Sequence, residues 1–415
     1  MSTGQVILSF LAGLLPLALL AYGLGRRRAL AVAGGQDRAL HSRPGFYGWY
    51  AVVLMAVPAV AMALLATLLD LLGLIDAPAT LILAAALALA AGGLWAAERT
   101  IQPGLRARNI VEGAVRWLLI TAASVSILTT LGILLSILFE AMRFFQMVSV
   151  WEFLTGTTWS PDTAFLGGAG RGGEGQAEAE FGSVPLFAGT FMITAIAMAV
   201  ALPIGLLSAI FLSEYAPPRV RGAVKPALEV LAGIPTVVYG FFAAITVAPL
   251  VVDVATALGL DASYQNALTP GIVMGIMIIP FVSSLSDDVI SAIPMSMREG
   301  SFALGATPSE TIKHVLLPAA LPGVVSAFIL AISRALGETM IVVMAAGLRP
   351  NLTANPLESM TTVTVRIVDA LTGDQEFSSP ETLSAFGLGL VLFLVTLILN
   401  TVSLTIVRRF HEKYE

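Results

Sequence analysis

The sequence predicts an all-α protein that crosses the membrane many times. Of its 415 residues, 57% are hydrophobic and 12% are charged, whereas soluble domains carry roughly 25% charged residues. Apolar stretches recur along the whole chain, and several reach the roughly 20 residues that a helix needs to cross a hydrocarbon core. Lipid is therefore expected to surround most of the apolar side chains.

Nine apolar stretches are long enough to be membrane spans. They cover residues 5–25, 48–73, 78–97, 117–139, 184–212, 230–252, 268–286, 319–347 and 383–407. No Lys or Arg precedes the first stretch, and the basic cluster Arg26, Arg27 and Arg28 follows it. This arrangement is opposite to that of a secretory signal, so the first stretch is interpreted as a membrane anchor.

The distribution of basic residues predicts the orientation. If the basic cluster after the first span is cytoplasmic, the N-terminus lies outside and the C-terminus lies in the cytoplasm. This alternation puts seventeen of the 22 Lys and Arg residues on the cytoplasmic side. An excess of basic residues in cytoplasmic loops is the rule for membrane proteins.

The composition also excludes several classes of function. The chain has no cysteine, and its histidines, His41, His314 and His411, are far apart in the sequence. A metal site is therefore not expected. An intramembrane enzyme is not expected either, because no histidine lies within a span and Arg334 and Glu338 do not make a nucleophile and base. The net charge is −5 and the basic residues are scattered, so nucleic acid is not an expected partner. No Gly-x-x-x-x-Gly-Lys-Ser/Thr pattern occurs, so the chain is not expected to bind ATP itself.

The spans fall into two groups, which we assign to residues 1–110 and 111–415. The three spans of the first group are rich in Ala and Leu, and an accessory membrane anchor is the simplest interpretation. The six later spans begin and end on the cytoplasmic side, and glycine and proline interrupt them, for example at Pro203, Pro280 and Gly337. Such breaks mark either a pathway or close helix packing.

A cytoplasmic loop at residues 287–318 has the pattern of two short helices. A glycine, Gly305, separates them, and Thr307-Pro308-Ser309-Glu310 predicts a capping box that opens the second helix. Pro318 is expected to end that helix. The pattern leaves apolar residues exposed, which calls either for a protein partner or for the membrane surface as a cover.

Span eight contains an Arg-Ala-Leu-Gly-Glu sequence, with Arg334 and Glu338 one helical turn apart. A charge inside a span is costly, so both residues are expected to face a partner or water. Two interpretations remain open: a structural ion pair, or a pathway in which Arg334 binds an oxyanion with its planar fork of donors. In the second, Glu338 holds Arg334 or accepts the proton of the anion, which favours phosphate over sulfate.

The cytoplasmic loop resembles the EAA motif of ABC importer permeases. Glu299, Gly305, Val315, Leu317 and Pro318 stand at the spacing of that motif. Gly300 and Ser301 replace its two alanines, and Val315 replaces its isoleucine. The resemblance implies that this loop is the coupling helix, which docks on a cytoplasmic ATPase and transmits its motion.

Four further segments resemble phosphate ABC transporter permeases of the PstC type. These segments are Val184–Thr190, Phe211–Pro217, Glu229–Gly240 and Ser333–Met340. The resemblance covers residues 117–415, and it implies a six-helix type I ABC importer core preceded by three additional spans. It also carries a role in phosphate transport over to Arg334 and Glu338.

The resemblance implies a non-enzymatic transport subunit of a bacterial inner membrane. Its expected partners are a PstA-like second permease, PstB-like ATPase subunits, an external phosphate-binding protein and membrane lipid. The chain itself is expected to bind no cofactor, because ATP is used by the ATPase partner. Transport of another oxyanion, or transport driven by an ion gradient, is the alternative.

Overall fold

The computed structural model describes residues 3–35, 37–75, 78–161, 179–372 and 379–411. Helices dominate the described part of the chain. The chain divides into two units, Met1–Gly132 and Ile133–Glu415. The boundary lies inside one long helix, α4 (Ala107–Met147), so each unit contains part of that helix.

Unit 1 consists of α1 (Thr3–Val32), α2 (Pro44–Leu71), α3 (Ala79–Thr100) and the first part of α4. Small residues fill most of its interior, including the fully buried Ala21 and Ala97. Membrane helices approach closely where their facing residues are small. The interior is therefore built for close packing.

Unit 2 has a longer series of elements. They are the rest of α4, α5 (Val150–Thr155), β1 (Trp159–Ser160), β2 (Glu180–Phe181), α6 (Val184–Tyr215), α7 (Pro218–Ala232), α8 (Thr236–Ala257), α9 (Leu268–Ser291), α10 (Met295–Ala303), α11 (Pro308–Leu336), α12 (Met340–Ala345), α13 (Val363–Leu371) and α14 (Pro380–His411). The two short strands pair antiparallel, with Trp159 opposite Phe181.

Helix α9 forms the centre of unit 2 and is the most buried of its spans. It packs along α6 through small residues. A Cβ atom on Gly271 would lie 2.7 Å from Ile196, and one on Gly205 would lie 2.7 Å from Val282. Because these glycines lack side chains, the two helix backbones can approach closely, and residues on α9 can line any cavity beside α6.

Eight helices within the described residues are long and apolar enough to span a membrane: α2, α3, α4, α6, α8, α9, α11 and α14. They confirm the predicted all-α, multi-spanning class. The first predicted span, residues 5–25, lies on α1, and the side chains of residues 3–11 are outside the described part of the chain.

Two predicted spans are displaced along the sequence. The sixth was expected at 230–252 but lies at Thr236–Ala257, because Pro235 stands at the helix start. The eighth was expected at 319–347 but lies at Pro308–Leu336, because the helix ends at Gly337. The second shift changes the geometry at Arg334 and Glu338.

The expectation that Pro318 ends the loop helix is wrong. Helix α11 continues through Pro318 by way of a π turn at Ile312–Leu316, in which the Leu317 amide donates to the Ile312 carbonyl. Proline lacks an N–H and clashes with a carbonyl one turn earlier, and the wider π turn gives that carbonyl room. Two other π turns, Phe211–Tyr215 and Ala243–Val247, also end just before a proline.

Between the predicted spans at 117–139 and 184–212, the described residues form regular structure. Helix α4 continues to Met147, and an aromatic cluster of Phe144, Phe153, Trp159 and Phe181 is buried beyond it. These rings meet edge to face, with centroids 5.4 to 6.4 Å apart for the pairs made by Phe153 with Phe144 and Trp159. The glycine-rich run at 167–175 lies outside the described residues.

Candidate functional site

Arg334 lies in the last turn of α11 and is exposed. Among the described residues, no carboxylate forms an ion pair with its guanidinium. The guanidinium makes a cation–π contact with the ring of Phe281, and its carbon lies 5.6 Å from the ring centroid. Its donors are therefore available to an anion.

The Arg334 side chain lines a cavity of about 290 Å³ in unit 2. The cavity is formed by the end of α6, by α7, by α9 and by α11, and its lining residues are Leu212, Lys225, Leu228, Glu229, Ala232, Met277, Pro280, Phe281, Ser283, Ser284, Asp287 and Arg334. Along α9 it extends from Met277 to Asp287, about 15 Å at the helical rise. The hydroxyls of Ser283 and Ser284 add neutral hydrogen-bonding groups to the lining.

One end of the cavity carries an ion network around the buried carboxylate of Asp287. Lys225 Nζ lies 2.7 Å from Asp287 Oδ2, and Arg221 Nη2 lies 3.0 Å from each carboxylate oxygen. The hydrogen bond to Asp287 raises the pKa of Lys225 above its ordinary value of 10.5. Two cations thus neutralise this carboxylate, which leaves Arg334 as the cation of the cavity with no acidic partner.

Glu338 does not pair with Arg334, contrary to the expectation that the two residues share a helix face. Helix α11 ends at Leu336, and Glu338 follows the break. Its Oε1 accepts hydrogen bonds from the amides of Met340 at 3.2 Å and Ile341 at 3.5 Å. The Glu338 carboxylate therefore binds the first backbone amides of α12, and it does not line the cavity that contains Arg334.

Five polar lining residues were not predicted from the sequence: Lys225, Glu229, Ser283, Ser284 and Asp287. Glu229 is exposed, and its carboxylate forms no ion pair with a described residue. Its signal was present, because Glu229 begins one of the segments that resemble PstC-type permeases. No local pattern could have placed it near Arg334, which lies far away in the sequence.

The loop at residues 287–318 has the two predicted short helices, α10 and the start of α11. Gly305 lies between them with a φ of +86°, a conformation that favours glycine. The predicted capping box at Thr307 and Glu310 is confirmed: the side chain of each accepts from the backbone N–H of the other. A hydrogen bond of 2.9 Å between the hydroxyls of Ser301 and Thr311 joins the two helices.

The five residues that match the coupling motif lie on both sides of this turn. Glu299 is exposed on α10, Gly305 forms the turn, and Val315, Leu317 and Pro318 lie at and after the π turn of α11. Val315 and Leu317 are half-buried, whereas Glu299, Gly305 and Pro318 are exposed. The motif therefore divides into an exposed part and a part that faces the helices beneath.

Large apolar side chains are exposed on the same loop. Leu304 is 90% exposed, Met295 is 65% exposed and Phe302 is 48% exposed. Beneath them, Ile293 and Ile312 are buried in a separate apolar cluster. The loop therefore has its own core and an uncovered apolar surface.

Arg298 fixes the loop to α6. Its Nη2 donates to Glu214 Oε1 at 2.8 Å and to the Ile290 carbonyl at 2.9 Å, and its Nη1 donates to the Ile293 carbonyl at 2.8 Å. The Arg298 and Glu214 side chains are 12% and 15% exposed. Glu214 and Arg221 both make ion pairs between helices, Glu214 with Arg298 and Arg221 with Asp287.

Comparison with protein families identifies the class to which this fold and site belong. Residues 201–415 match the family described as binding-protein-dependent transport system inner membrane component. Residues 11–76 match a second family, described as phosphate ATP-binding cassette transporter. The chain belongs to the inner-membrane components of binding-protein-dependent transport systems.

Individual relatives cover most of the chain. The probable ABC transporter permease protein YqgH of Bacillus subtilis is 33% identical over 294 residues, which are 70% of this chain and 87% of YqgH. Phosphate transport system permease protein PstC 1 of Mycobacterium tuberculosis is 32% identical over 318 residues, 71% of this chain and 93% of PstC 1. The resemblance to PstC-type permeases is thereby confirmed.

Among solved structures, a bacterial ABC transporter involved in the import of the acidic polysaccharide alginate matches 72% of this chain and 99% of its own. The sequence identity is 16% and the TM-score is 0.48. The family and the eight apolar helices of the described residues identify a multi-pass inner-membrane protein. Its family acts as the permease component of ABC importers, together with ATPase and substrate-binding partners.

Proposed function

We propose that this chain is the permease subunit through which an ATP-driven importer moves inorganic phosphate across the inner membrane. The observation that carries the proposal is the Arg334 guanidinium, which faces a cavity and has no acidic partner among the described residues. The names of the PstC relatives and of the family matched at residues 11–76 support phosphate as the substrate. Arginine binds phosphate oxygens through two parallel hydrogen bonds.

The lining suits a protonated oxyanion. Arg334 supplies charged donors, and Ser283 and Ser284 supply hydroxyls that donate or accept. Phosphate keeps an O–H at neutral pH, whereas sulfate has none, so a carboxylate acceptor discriminates between them. In this cavity the available carboxylate is Glu229, and we assign it the acceptor role that the sequence had suggested for Glu338.

Glu338 contributes to the pathway indirectly. Its carboxylate binds the amides of Met340 and Ile341, which fixes the chain just after the helix that carries Arg334. The substitution Glu338→Gln keeps an oxygen acceptor there, so we expect phosphate uptake to fall less than about threefold, the equivalent of one weak hydrogen bond. Sulfate should remain excluded in this variant.

ATP is used by partner subunits in this proposal. The coupling surface consists of Glu299, Gly305, Val315, Leu317 and Pro318, together with the exposed apolar side chains beside them. This surface docks on a PstB-like ATPase, and a PstA-like permease forms the other wall of the pathway. An external phosphate-binding protein delivers the anion, and ATP binding draws the loops together to reverse the access.

The orientation is part of the same proposal. The N-terminus lies outside and the C-terminus lies in the cytoplasm, as the basic residues indicate. This places the loop at 287–318 on the side where ATP is present. Accessibility of a cysteine introduced at Leu304 to a membrane-impermeant thiol reagent tests this, because the native chain has no cysteine.

The function is tested by phosphate uptake in a host that lacks its own permease, with the cognate subunits present. Wild type, Arg334→Ala and Arg219→Ala are compared at equal membrane abundance. Arg219 is exposed on α7 outside the cavity and serves as the matched control. We expect ATP-dependent uptake in wild type and Arg219→Ala, and a loss of about 100-fold in Arg334→Ala.

Two further results decide between substrates and energy sources. Uptake of sulfate but not phosphate by the assembled wild-type complex would contradict the phosphate assignment and favour another oxyanion. Uptake that follows the ion gradient and continues without ATP would contradict the importer class. Glu229→Gln should lower phosphate uptake relative to sulfate, and unchanged selectivity would remove Glu229 from the acceptor role.

A further inference from the structure

Unit 1 contains a second cavity that the transport proposal does not use. Its volume is about 490 Å³, and its lining residues, all from α1 and α3, are Leu24, Arg27, Arg28, Ala31, Trp95, Glu98 and Arg99. The cavity lies near the C-terminal ends of both helices. Unit 1 therefore contains a cavity with charged side chains, which a simple anchor rich in Ala and Leu would not need.

The cations of this cavity lack acidic partners. No ion pair of the described residues includes Arg27, Arg28 or Arg99. The Arg99 guanidinium carbon lies 3.9 Å from the centroid of the Trp95 ring, a cation–π contact that orients its planar fork. With Glu98 as the one carboxylate, the lining has three cations against one anion and attracts a further negative charge.

The helix packing that forms the cavity is close and specific. A Cβ atom on Gly25 of α1 would lie 2.7 Å from the Tyr47 carbonyl of α2. Gly93 of α3 is equally restricted, because a Cβ there would overlap the Leu54 carbonyl of α2. Helices α1 and α3 are thus packed closely on α2, and this packing holds their arginines beside the same cavity.

The lining also has an apolar side that faces outward. Trp95 is 57% exposed and Leu24 is 38% exposed, next to the arginines. A free inorganic anion would gain nothing from this apolar surface, whereas an amphiphile can place its phosphate on the arginines and its chain along Leu24 and Trp95. Basic pockets between membrane helices are known to bind anionic lipid head groups.

We propose that the cavity of α1 and α3 binds a phosphate group, and that an anionic membrane phospholipid is its source. Arg27, Arg28 and Arg99 bind the phosphate oxygens, and Trp95 supports Arg99 from one face. This site is distinct from the substrate cavity at Arg334, and it does not depend on transport.

Native mass spectrometry of the full-length chain in detergent tests the site. The probes are phosphatidylglycerol, zwitterionic phosphatidylcholine and inorganic phosphate. The variants are Arg27→Gln, Arg99→Gln and, as the matched control, Arg26→Gln, which removes the same charge from the same basic cluster but does not line the cavity. Arg27→Lys keeps the charge and removes the fork.

We expect the chain to retain phosphatidylglycerol in preference to phosphatidylcholine. Each substitution of a cavity arginine by glutamine should weaken the affinity for phosphatidylglycerol about fivefold. Arg26→Gln should have little effect on this affinity, and the affinity of Arg27→Lys should lie between those of wild type and Arg27→Gln. Displacement of the lipid by inorganic phosphate, with the same arginine dependence, would keep the phosphate site and assign it to the free anion.

Equal losses in Arg26→Gln and Arg27→Gln would overturn the proposal, because general surface charge would then explain the binding. Equal retention of the two lipids by wild type would also overturn it. The arginines are exposed, so folding should survive the substitutions, and size-exclusion chromatography of each variant verifies this.

Discussion

Two regions of unit 2 use arginine in opposite ways. At the base of the loop at residues 287–318, Arg298 is almost buried and makes a carboxylate contact and two backbone contacts. At the cavity, Arg334 is exposed and has no acidic partner among the described residues. The guanidinium of Arg298 is bound within the chain, whereas the donors of Arg334 are available to a ligand.

The difference separates structural charges from charges available to a ligand. A buried ion pair holds two elements in one arrangement, and breaking it leaves an unpaired charge. A cation without a partner within a membrane span is costly, so it indicates a binding role. Asp287 belongs to the first kind, because Lys225 and Arg221 neutralise it.

The largest effect on stability is expected for Arg298→Ala. The substitution leaves the Glu214 carboxylate and the carbonyls of Ile290 and Ile293 without their donor. We expect the free energy of unfolding to fall by about 3 kcal/mol. Thermal unfolding of the purified protein measures this, with Arg219→Ala as an exposed control. Equal shifts in the two variants would show that Arg298 is not a structural arginine.

A smaller loss is expected for Asp287→Asn. Arg221 and Lys225 would lose their shared carboxylate, but both are about one third exposed and can turn to water. We therefore expect a loss of about 2 kcal/mol. Asp288→Asn is the matched control, because the Asp288 side chain is 66% exposed. An equal response at both positions would contradict a special role for the buried carboxylate.

Leu304→Ser tests the coupling surface. Leu304 is 90% exposed, so the stability of the chain alone should not change. Association with the ATPase partner should weaken about tenfold, the effect of losing one well-placed apolar contact. Co-purification of the ATPase with variant and wild type measures this. Leu258→Ser, at another exposed leucine, should leave association unchanged, and a similar loss there would argue against a specific surface.

The smallest effect concerns alkaline pH. The pKa of Lys225 is raised above its ordinary value of 10.5 by its hydrogen bond to Asp287. A raised pKa stabilises the fold below the unfolded value, and this stability is lost as the pH rises through the folded value. Unfolding should thus be insensitive to this pair at neutral pH and should show the loss only above about pH 10.5.

Asp287→Asn should abolish this alkaline dependence. Thermal unfolding of wild type and Asp287→Asn across the alkaline range provides the comparison. The same alkaline slope in both proteins would assign the dependence to other groups.

The sequence predicted features that depend on neighbouring residues. The capping box at Thr307 and Glu310 requires only a spacing of three residues, and the structure has it. The spans follow from hydropathy, which is local as well. Their ends were less accurate, because Pro235 and Gly337 decided them against the apolar pattern.

Two errors have a common cause in backbone geometry. Glu338 was placed beside Arg334 on the assumption that the helix continued past Gly337. Pro318 was expected to end a helix, but a π turn accommodates it. Neither a helix break nor a π turn is specified by side-chain spacing alone.

Apart from Arg334, the lining of the cavity could not be predicted. Lys225 and Asp287 are 62 residues apart in the sequence, and Arg334 lies beyond both, on a third helix. Their meeting depends on how α7, α9 and α11 pack. The sequence therefore indicated a functional arginine, and the fold supplied the residues around it.

We propose that Arg334 binds the substrate, whereas Arg298 stabilises the structure. The most direct test reconstitutes the complete complex in proteoliposomes and measures phosphate transported per ATP hydrolysed for wild type, Arg334→Ala and Arg298→Ala. We expect Arg334→Ala to assemble with normal thermal stability and to hydrolyse ATP but to lose transport, whereas Arg298→Ala should be less stable. Normal transport by Arg334→Ala in an intact complex would contradict this proposal.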